Sequence, residues 1–171
     1  MMRSFLLAVL FLSFIFACQN APEPTEEVAE EETNSKVVAR EDLLGTWEAK
    51  YLKVQGASYQ GSDSAFVFEV NEGEWEKNYR VRPFRTFFGQ DSTYRTVRRG
   101  LRGDYIGEDR GLWRNFGDTL MLLQSNATLQ YKIRIIDGQA HWIGLVDWDL
   151  DGLEDDSYYA IMRKVAKTSA E

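Results

Sequence analysis

The densest group of potential ligand atoms in the sequence is an acidic run near its C-terminal end. It reads Asp147-Trp148-Asp149-Leu150-Asp151-Gly152-Leu153-Glu154-Asp155-Asp156. Carboxylates occupy its first, third and fifth positions, and a glycine that permits a sharp turn follows, which is the spacing of a Ca²⁺ loop. Carboxylates this close repel one another unless a hard cation neutralises them. The run therefore predicts a calcium site. The expected side-chain ligands are Asp147, Asp149, Asp151 and Asp155.

The acidic run departs from the EF-hand pattern in two respects. Its twelfth position is Tyr158 rather than a bidentate glutamate, and no helical pattern flanks it. The run instead resembles the D-x-D-x-D-G-x-x-D loops of calcium-binding extracellular repeats, in which the Leu153 carbonyl would be a further ligand. Weak affinity is typical of such modules. The alternative is an acidic hairpin loop that faces solvent or the arginine-rich segment between Lys77 and Arg114.

Signatures of enzymatic chemistry are absent from the sequence. His141 is the only histidine, so a zinc site with several histidine ligands cannot form. A Ser-His-Asp arrangement would have to use His141, which stands in an alternating strand pattern with no nucleophile elbow beside it. Carboxylate chemistry through Glu72, Glu74 or Glu76 stays open, because paired acids need only meet in space. We expect a protein that is not an enzyme and that needs no cofactor other than the calcium ion.

Cys18, the only cysteine, ends a hydrophobic leader. Arg3 precedes an apolar stretch that closes on a small residue, which is the pattern of a secretory signal and is too short for a spanning helix. Ile15-Phe16-Ala17-Cys18 resembles the lipobox of bacterial lipoproteins. The resemblance implies a signal peptide over residues 1–17, acylation of Cys18, and a lipid anchor in the cell envelope. Gln19 in the following position implies the outer membrane.

A disordered tether is expected after Cys18. Residues 18–38 contain six glutamates and two prolines and lack aromatic side chains. High charge with low hydrophobicity cannot repay the entropy of ordering a chain. This linker also supplies most of the net charge of −7. Nucleic acid is a poor partner for an exported, net-acidic protein. Expected partners are the membrane, reached through the lipid, and an envelope or surface partner.

The remaining residues, 39–167, carry the periodicity of β-strands. Polar and apolar residues alternate over short segments that turn signals separate, and Asp137-Gly138 is the strongest hairpin signal. The expected strands lie at 47–51, 66–70, 75–81, 93–98, 111–116, 119–123, 128–136, 140–146 and 157–165. A single helical turn is expected within 37–44. Strands this short and numerous predict an all-β antiparallel barrel or sandwich, and closure without exposed edges favours the barrel.

Short motifs along this domain are similar to those of lipocalins and bacterial lipocalin-like domains. Gly45-Thr46-Trp47 resembles the G-x-W motif that opens the first strand, and Gly111-Leu112-Trp113 followed by Gly117-Asp118-Thr119-Leu120 resembles a second pairing. The resemblance implies an up-and-down barrel of about eight strands. It further implies that Gly45 turns the chain into the barrel, that Trp47 closes its base, and that Arg163 covers the Trp47 ring. The alternative is that Trp47 is a core residue of an unrelated sandwich.

The expected function is binding. A lipocalin-like barrel has room for about one small ligand at its mouth, here an apolar or amphipathic molecule. Alternation places six residues inside as ligand contacts: Tyr51, Phe66, Phe68, Trp113, Tyr131 and Trp142. The alternative is a calcium-stabilised cell-surface interaction module with a packed interior and no small-molecule ligand.

Overall fold

The computed structural model describes residues 37–166. These residues form nine antiparallel β-strands, two single-turn helices and the loops that connect them. The predicted signal peptide, Cys18 and nearly all of the acidic linker lie outside these residues. Neither helix in the described part has the length and apolar character needed to cross a bilayer. The elements are α1 (Arg40–Leu43), β1 (Gly45–Gly56), β2 (Phe66–Val70), α2 (Glu74–Lys77), β3 (Arg85–Phe88), β4 (Thr93–Arg99), β5 (Tyr105–Phe116), β6 (Thr119–Leu123), β7 (Thr128–Ile136), β8 (Gln139–Val146) and β9 (Asp156–Val165).

Strand β1 closes the sheet into a barrel. Strands β3 to β9 pair in sequence order, and β1 joins the two ends because it pairs with β9 along one edge and with β3 along the other. Eight strands thus form the closed wall, and β2 is an extra strand that pairs with the second half of β1. The prediction of an antiparallel barrel of about eight strands is confirmed.

A β-bulge in β1 reverses which residues face the interior. The register between β1 and β9 shifts between Ala49 and Tyr51. Before the shift Trp47 and Ala49 are buried, and after it Leu52 and Val54 are buried. An extra residue in one strand moves every later side chain to the opposite face. Simple alternation from Trp47 therefore fails beyond Ala49.

One predicted strand is wrong. The sequence predicts an extended segment at 75–81. The structure instead has the helical turn α2 there, which ends at Lys77 with Asn78 as its C-cap. The turn starts after Gly73, and the Asn71 backbone N–H donates to the Glu74 carboxylate at 2.8 Å.

Strand β3, which lies in the arginine-rich middle of the sequence, was not predicted. The Asp137-Gly138 hairpin is confirmed, since both residues have positive φ, 50° and 73°, as a type I′ turn requires.

One end of the barrel is closed by packing around Trp47. The Trp47 indole N–H donates to the Leu43 carbonyl of α1 at 2.7 Å, and Leu43 is itself buried. Gly45, at the start of β1, has φ 107°, which few other residues adopt. The same end holds the β5–β6 turn and the β7–β8 turn, so α1 and Trp47 together cover the base of the barrel.

The cation over Trp47 is Lys164 rather than Arg163. Lys164 pairs directly with Trp47 across β1 and β9, so both side chains lie on one face, and its Nζ is 5.3 Å from the ring centroid. Arg163 pairs with Glu48 on the outer face and binds its carboxylate at 2.9 Å. Burial raises the pKa of Glu48, but the hydrogen bonds from Arg85 and Arg163 outweigh it and hold this pKa below its usual value.

Replacing Trp47 with Ala should lower the free energy of unfolding by about 3–5 kcal/mol, because a buried indole and its hydrogen bond to α1 are both lost. Trp148→Ala is the control, since this ring is 40% exposed and its loss should cost about 1 kcal/mol or less. Urea denaturation of the purified protein measures both values. Equal losses for the two variants would show that Trp47 does not hold the closed end together.

Candidate functional site

A cavity of about 700 Å³ opens at the end of the barrel opposite Trp47. The β6–β7 loop at residues 124–127 and the β8–β9 loop at residues 147–155 contribute to its rim. Two residues of the second loop, Trp148 and Leu150, lie at the mouth, and Trp148 stacks on Phe68 of β2 with ring centroids 5.5 Å apart. The interior is therefore packed at one end and open at the other.

One wall of the cavity is aromatic. Tyr131 of β7, Trp142 of β8 and Tyr158 of β9 are all buried and line it. The ring of Tyr131 lies 5.5 Å from Trp142 and 5.2 Å from Tyr158. Gly144 lies between the two tyrosines and pairs with both. A Cβ at Gly144 would come within 2.6 Å of the Gln130 carbonyl oxygen, so the strands approach too closely for a side chain there.

Burial governs the acidity of the two cavity tyrosines. It raises the pKa of Tyr131 well above its ordinary value, and the neighbouring groups Tyr158, Tyr94, Asp109 and Glu154 raise it further. Burial likewise raises the pKa of Tyr158, and this outweighs the lowering effect of the Arg98 charge. Both phenols are therefore neutral at physiological pH. Neither hydroxyl makes a hydrogen bond with another residue in the described part of the chain, so both are available to a bound molecule.

Polar groups also line the cavity, beside apolar residues such as Trp75 and Phe84. The hydroxyls of Thr86 and Thr96 lie 2.9 Å apart, and the Gln124 side-chain amide donates to the Tyr94 hydroxyl at 2.9 Å. Near the mouth Arg98 donates to the Asp109 carboxylate in an ion pair. These residues all line the cavity. The lining therefore combines aromatic rings with hydrogen-bonding groups, which suits an amphipathic ligand.

The arginine-rich segment does not pair with the acidic β8–β9 loop. Its arginines bind acids on neighbouring strands, as Arg85 binds Glu48 and Arg95 lies 3.9 Å from Glu108. Arg82 and Arg99 bind backbone carbonyls of the β4–β5 loop. Of the alternatives for the acidic run, a contact with this segment has no support among the described residues.

The β8–β9 loop is fixed by a buried carboxylate beneath it. Asp156, 2% exposed, accepts from the backbone N–H of Trp148 at 2.8 Å and of Asp149 at 3.3 Å. Asp149 is also buried, and it accepts from the Gln60 backbone N–H of the β1–β2 loop. Two loops at the mouth are thereby joined. Leu150 projects from this base with positive φ and is 84% exposed.

Three of the four predicted metal ligands meet in this loop. Carboxylate oxygens of Asp147, Asp149 and Asp151 all lie within 4.8 Å of one another. Asp155 is exposed and lies outside this group. Asp147 accepts from the Gly152 backbone N–H at 3.1 Å, and Asp151 accepts from Leu153 at 2.8 Å. The cluster supplies the oxygen ligands that a hard divalent cation prefers.

Of the six predicted ligand contacts, three line the cavity: Phe68, Tyr131 and Trp142. The inward placement of Tyr51 is wrong, because the bulge turns it outward, where its hydroxyl donates to Glu69 at 2.8 Å. Partial burial and this carboxylate raise the pKa of Tyr51 to about 12. Phe66 packs beside Gly56 at the rim without lining the cavity.

The remaining predicted contact, Trp113, belongs to the closed end. It is fully buried, its indole N–H donates to the Gly89 carbonyl at 3.1 Å, and the Arg40 guanidinium lies 4.1 Å above its ring. Its role in this structure is therefore packing rather than contact with a bound molecule.

Several cavity residues were not predicted from the sequence. Tyr158 and Leu129 were detectable, since they follow the same alternation that identified Tyr131. Arg98 also follows from the alternation of β4, but a charged side chain that faces the interior of a barrel is unusual. Leu52 is hidden from sequence reasoning by the bulge in β1.

Two buried side-chain polar atoms in the described part of the chain have no hydrogen-bond partner, the Trp142 Nε1 and the Asp147 Oδ1. Both belong to residues that line the cavity. Leaving a buried polar atom unpaired costs free energy, so such atoms are few and mark sites that serve another purpose. Both unpaired atoms, and the free energy that they cost, are therefore located at the cavity and its rim.

The single histidine lies away from the cavity. His141 is on the outer face of β8, where its Nδ1 is 2.7 Å from the Tyr159 hydroxyl, and burial lowers its pKa.

No protein-family model matches the chain, and no curated protein shows significant similarity to it. The geometry of the cavity and its rim is thus the basis for any functional conclusion.

Replacing Asp156 with Ala should lower the free energy of unfolding by about 1–3 kcal/mol, because two loop N–H groups lose their acceptor. Asp155→Ala removes the neighbouring carboxylate, which is exposed, and should change stability by less than about 0.5 kcal/mol. Thermal and urea denaturation provide the comparison. If both variants lose the same small amount, Asp156 does not anchor the loop.

Proposed function

We propose that this protein is a membrane-anchored, lipocalin-like lipoprotein that binds a small apolar or amphipathic ligand in the open end of its barrel. The cavity of about 700 Å³ is the observation that carries this proposal. Ligand pockets typically measure about 300–1,000 Å³ and are lined by apolar and aromatic side chains with a few polar groups. The cavity meets both criteria.

The division of the barrel into two ends supports binding rather than packing alone. The buried aromatic rings of Trp47, Trp113 and Phe88 fill the closed end. At the open end Tyr131 and Tyr158 line the cavity, and their hydroxyls make no hydrogen bond within the described residues. A barrel that served only as a rigid scaffold gains stability from filling that space, because unfilled volume forfeits dispersion contacts. The packed-interior alternative is less well supported.

The location is proposed from the N-terminal motif. The resemblance of Ile15–Cys18 to a lipobox favours an acylated Cys18 and a lipid anchor in the cell envelope. The acidic linker would then separate the barrel from the bilayer surface. A tethered binding domain near lipid would meet amphipathic molecules at high local concentration, which fits the chemistry of the cavity.

Leu129→Trp should weaken binding of an apolar fluorescent dye by at least about tenfold, because Leu129 lines the cavity and an indole would occupy part of it. Ile143→Trp is the matched control. It adds the same ring to the outer face of β8, where Ile143 is 44% exposed, and should leave dye affinity unchanged.

Dye titration of the three purified proteins, with thermal denaturation to verify folding, measures these affinities. Native mass spectrometry after mild extraction tests in addition for a co-purified molecule. A dye that binds the wild type and Leu129→Trp with equal affinity would place binding outside the barrel and contradict the proposal.

A divalent cation in the β8–β9 loop is a second candidate, favoured by the convergence of Asp147, Asp149 and Asp151. With Ca²⁺ bound, the loop would be more rigid. It would then present the exposed side chains of Trp148, Leu150 and Leu153 to an envelope or surface partner. The two candidates are compatible, because the loop forms the rim of the cavity.

Millimolar Ca²⁺ should raise the melting temperature. At about ten times its Kd a ligand adds about 1.4 kcal/mol of stability, which is about 3–6 °C for a domain of this size. Asp151→Asn should abolish this shift, whereas Asp155→Asn should retain it because Asp155 lies outside the cluster. Identical melting curves in Ca²⁺ and in EDTA would exclude the calcium loop.

A further inference from the structure

The charges that line the cavity are predominantly negative. Among the described residues that line it, Asp109, Asp147 and Glu154 are acidic and Arg98 is the one basic side chain. Arg98 is already bound to Asp109. Asp147 and Glu154 form no ion pair with any residue between 37 and 166. The field that a bound molecule meets at the mouth is therefore that of two uncompensated carboxylates.

One of these carboxylates is held in a shielded position. Asp147 uses one oxygen to accept from the Gly152 backbone N–H at 3.1 Å. Its other oxygen, Oδ1, is buried from solvent and has no hydrogen-bond partner. A shielded anionic oxygen is attracted more strongly to a nearby cation than an exposed one is, because less solvent screens the interaction.

The wall beside these carboxylates is built from aromatic rings. Tyr131, Trp142 and Tyr158 form a contiguous cluster, and Phe68 with Trp148 adds a stacked pair at the rim. Aromatic faces carry negative electrostatic potential and attract organic cations, with tryptophan and tyrosine the strongest. The same rings offer no compensation to an anionic headgroup. Two independent features, the carboxylates and the rings, thus favour the same sign of ligand charge.

We propose that the cavity selects amphipathic ligands whose polar end is an organic cation, a quaternary or protonated amine, over neutral or anionic ligands of equal length. This inference rests on the proposed function, since it names the class of ligand that the barrel binds. The apolar part of the ligand lies along the inner rings of Trp142, Tyr131 and Tyr158. Its cationic end lies at the mouth, beside Asp147, Glu154 and the stacked Phe68–Trp148 pair.

The test compares three probes with the same ten-carbon chain: decyltrimethylammonium, decanol and decanoate. Each is titrated below its micellar concentration into the full-length protein, with intrinsic tryptophan fluorescence as the readout, and EDTA keeps divalent cations off Asp147. The cation should bind about tenfold more tightly than decanol, which corresponds to about 1.4 kcal/mol, and decanoate should bind most weakly.

The double variant Asp147→Asn/Glu154→Gln should reduce the ratio of decanol to cation dissociation constants from about ten to about one, because both unpaired charges are removed. Its control is Asp118→Asn/Asp137→Asn, which removes two carboxylates from turns at the closed end and should keep the wild-type ratio. If the first variant does not fold, Glu154→Gln alone carries the test, since Glu154 makes no hydrogen bond or ion pair within the described residues.

The outcomes separate this inference from the proposed function. Equal affinity for cation and decanol, or tightest binding of decanoate, would overturn the inference while leaving the barrel a binding site. No binding of any probe would overturn both. Decylphosphocholine distinguishes two sources of the cation. Affinity equal to that of decyltrimethylammonium supports a lipid headgroup, and weaker binding supports a free amine.

Discussion

The pairing of β1 with strands on both of its edges is the constraint on which the rest of the structure depends. It pairs with β9 from Thr46 to Gln55, and its other edge is divided between β3 and β2. Without this strand the sheet would have two open edges, each with unpaired backbone groups. Closure also fixes the interior, because the register of each strand decides which side chains face inward.

The bulge within β1 lets a single strand serve both ends of the barrel. Its first half directs Trp47 into the closed end, and its second half directs Leu52 into the cavity. The closed end is stabilised by two buried indoles, each with a hydrogen bond to a backbone carbonyl and a cation near its ring. Trp47 has Lys164, and Trp113 has Arg40. These two tryptophans lie at the end opposite the cavity, where polar atoms remain unpaired.

The fold class followed from the sequence because strand alternation and turn residues are local signals. The Asp137-Gly138 hairpin and the run from β6 to β9 were predictable for this reason. Three other features could not be predicted from local signals. The bulge at Ala49 depends on the pairing with β9, the helical turn at Glu74 replaces a segment with strand-like alternation, and the cation over Trp47 depends on register. Arg163 and Lys164 are adjacent in sequence, so only the pairing of Trp47 with Lys164 decides between them.

The candidate site was predictable in its parts but not in their combination. The acidic run and three of the aromatic contacts were found separately, yet the barrel brings them to one opening, where Asp147 belongs to both the carboxylate cluster and the cavity. A divalent cation on this cluster would neutralise the charge that attracts an organic cation at the mouth. By linkage, each ligand would then weaken the binding of the other by the same factor. The two proposed ligands would therefore be coupled through one carboxylate, and the calcium concentration around the protein would set how strongly the barrel prefers a cationic ligand.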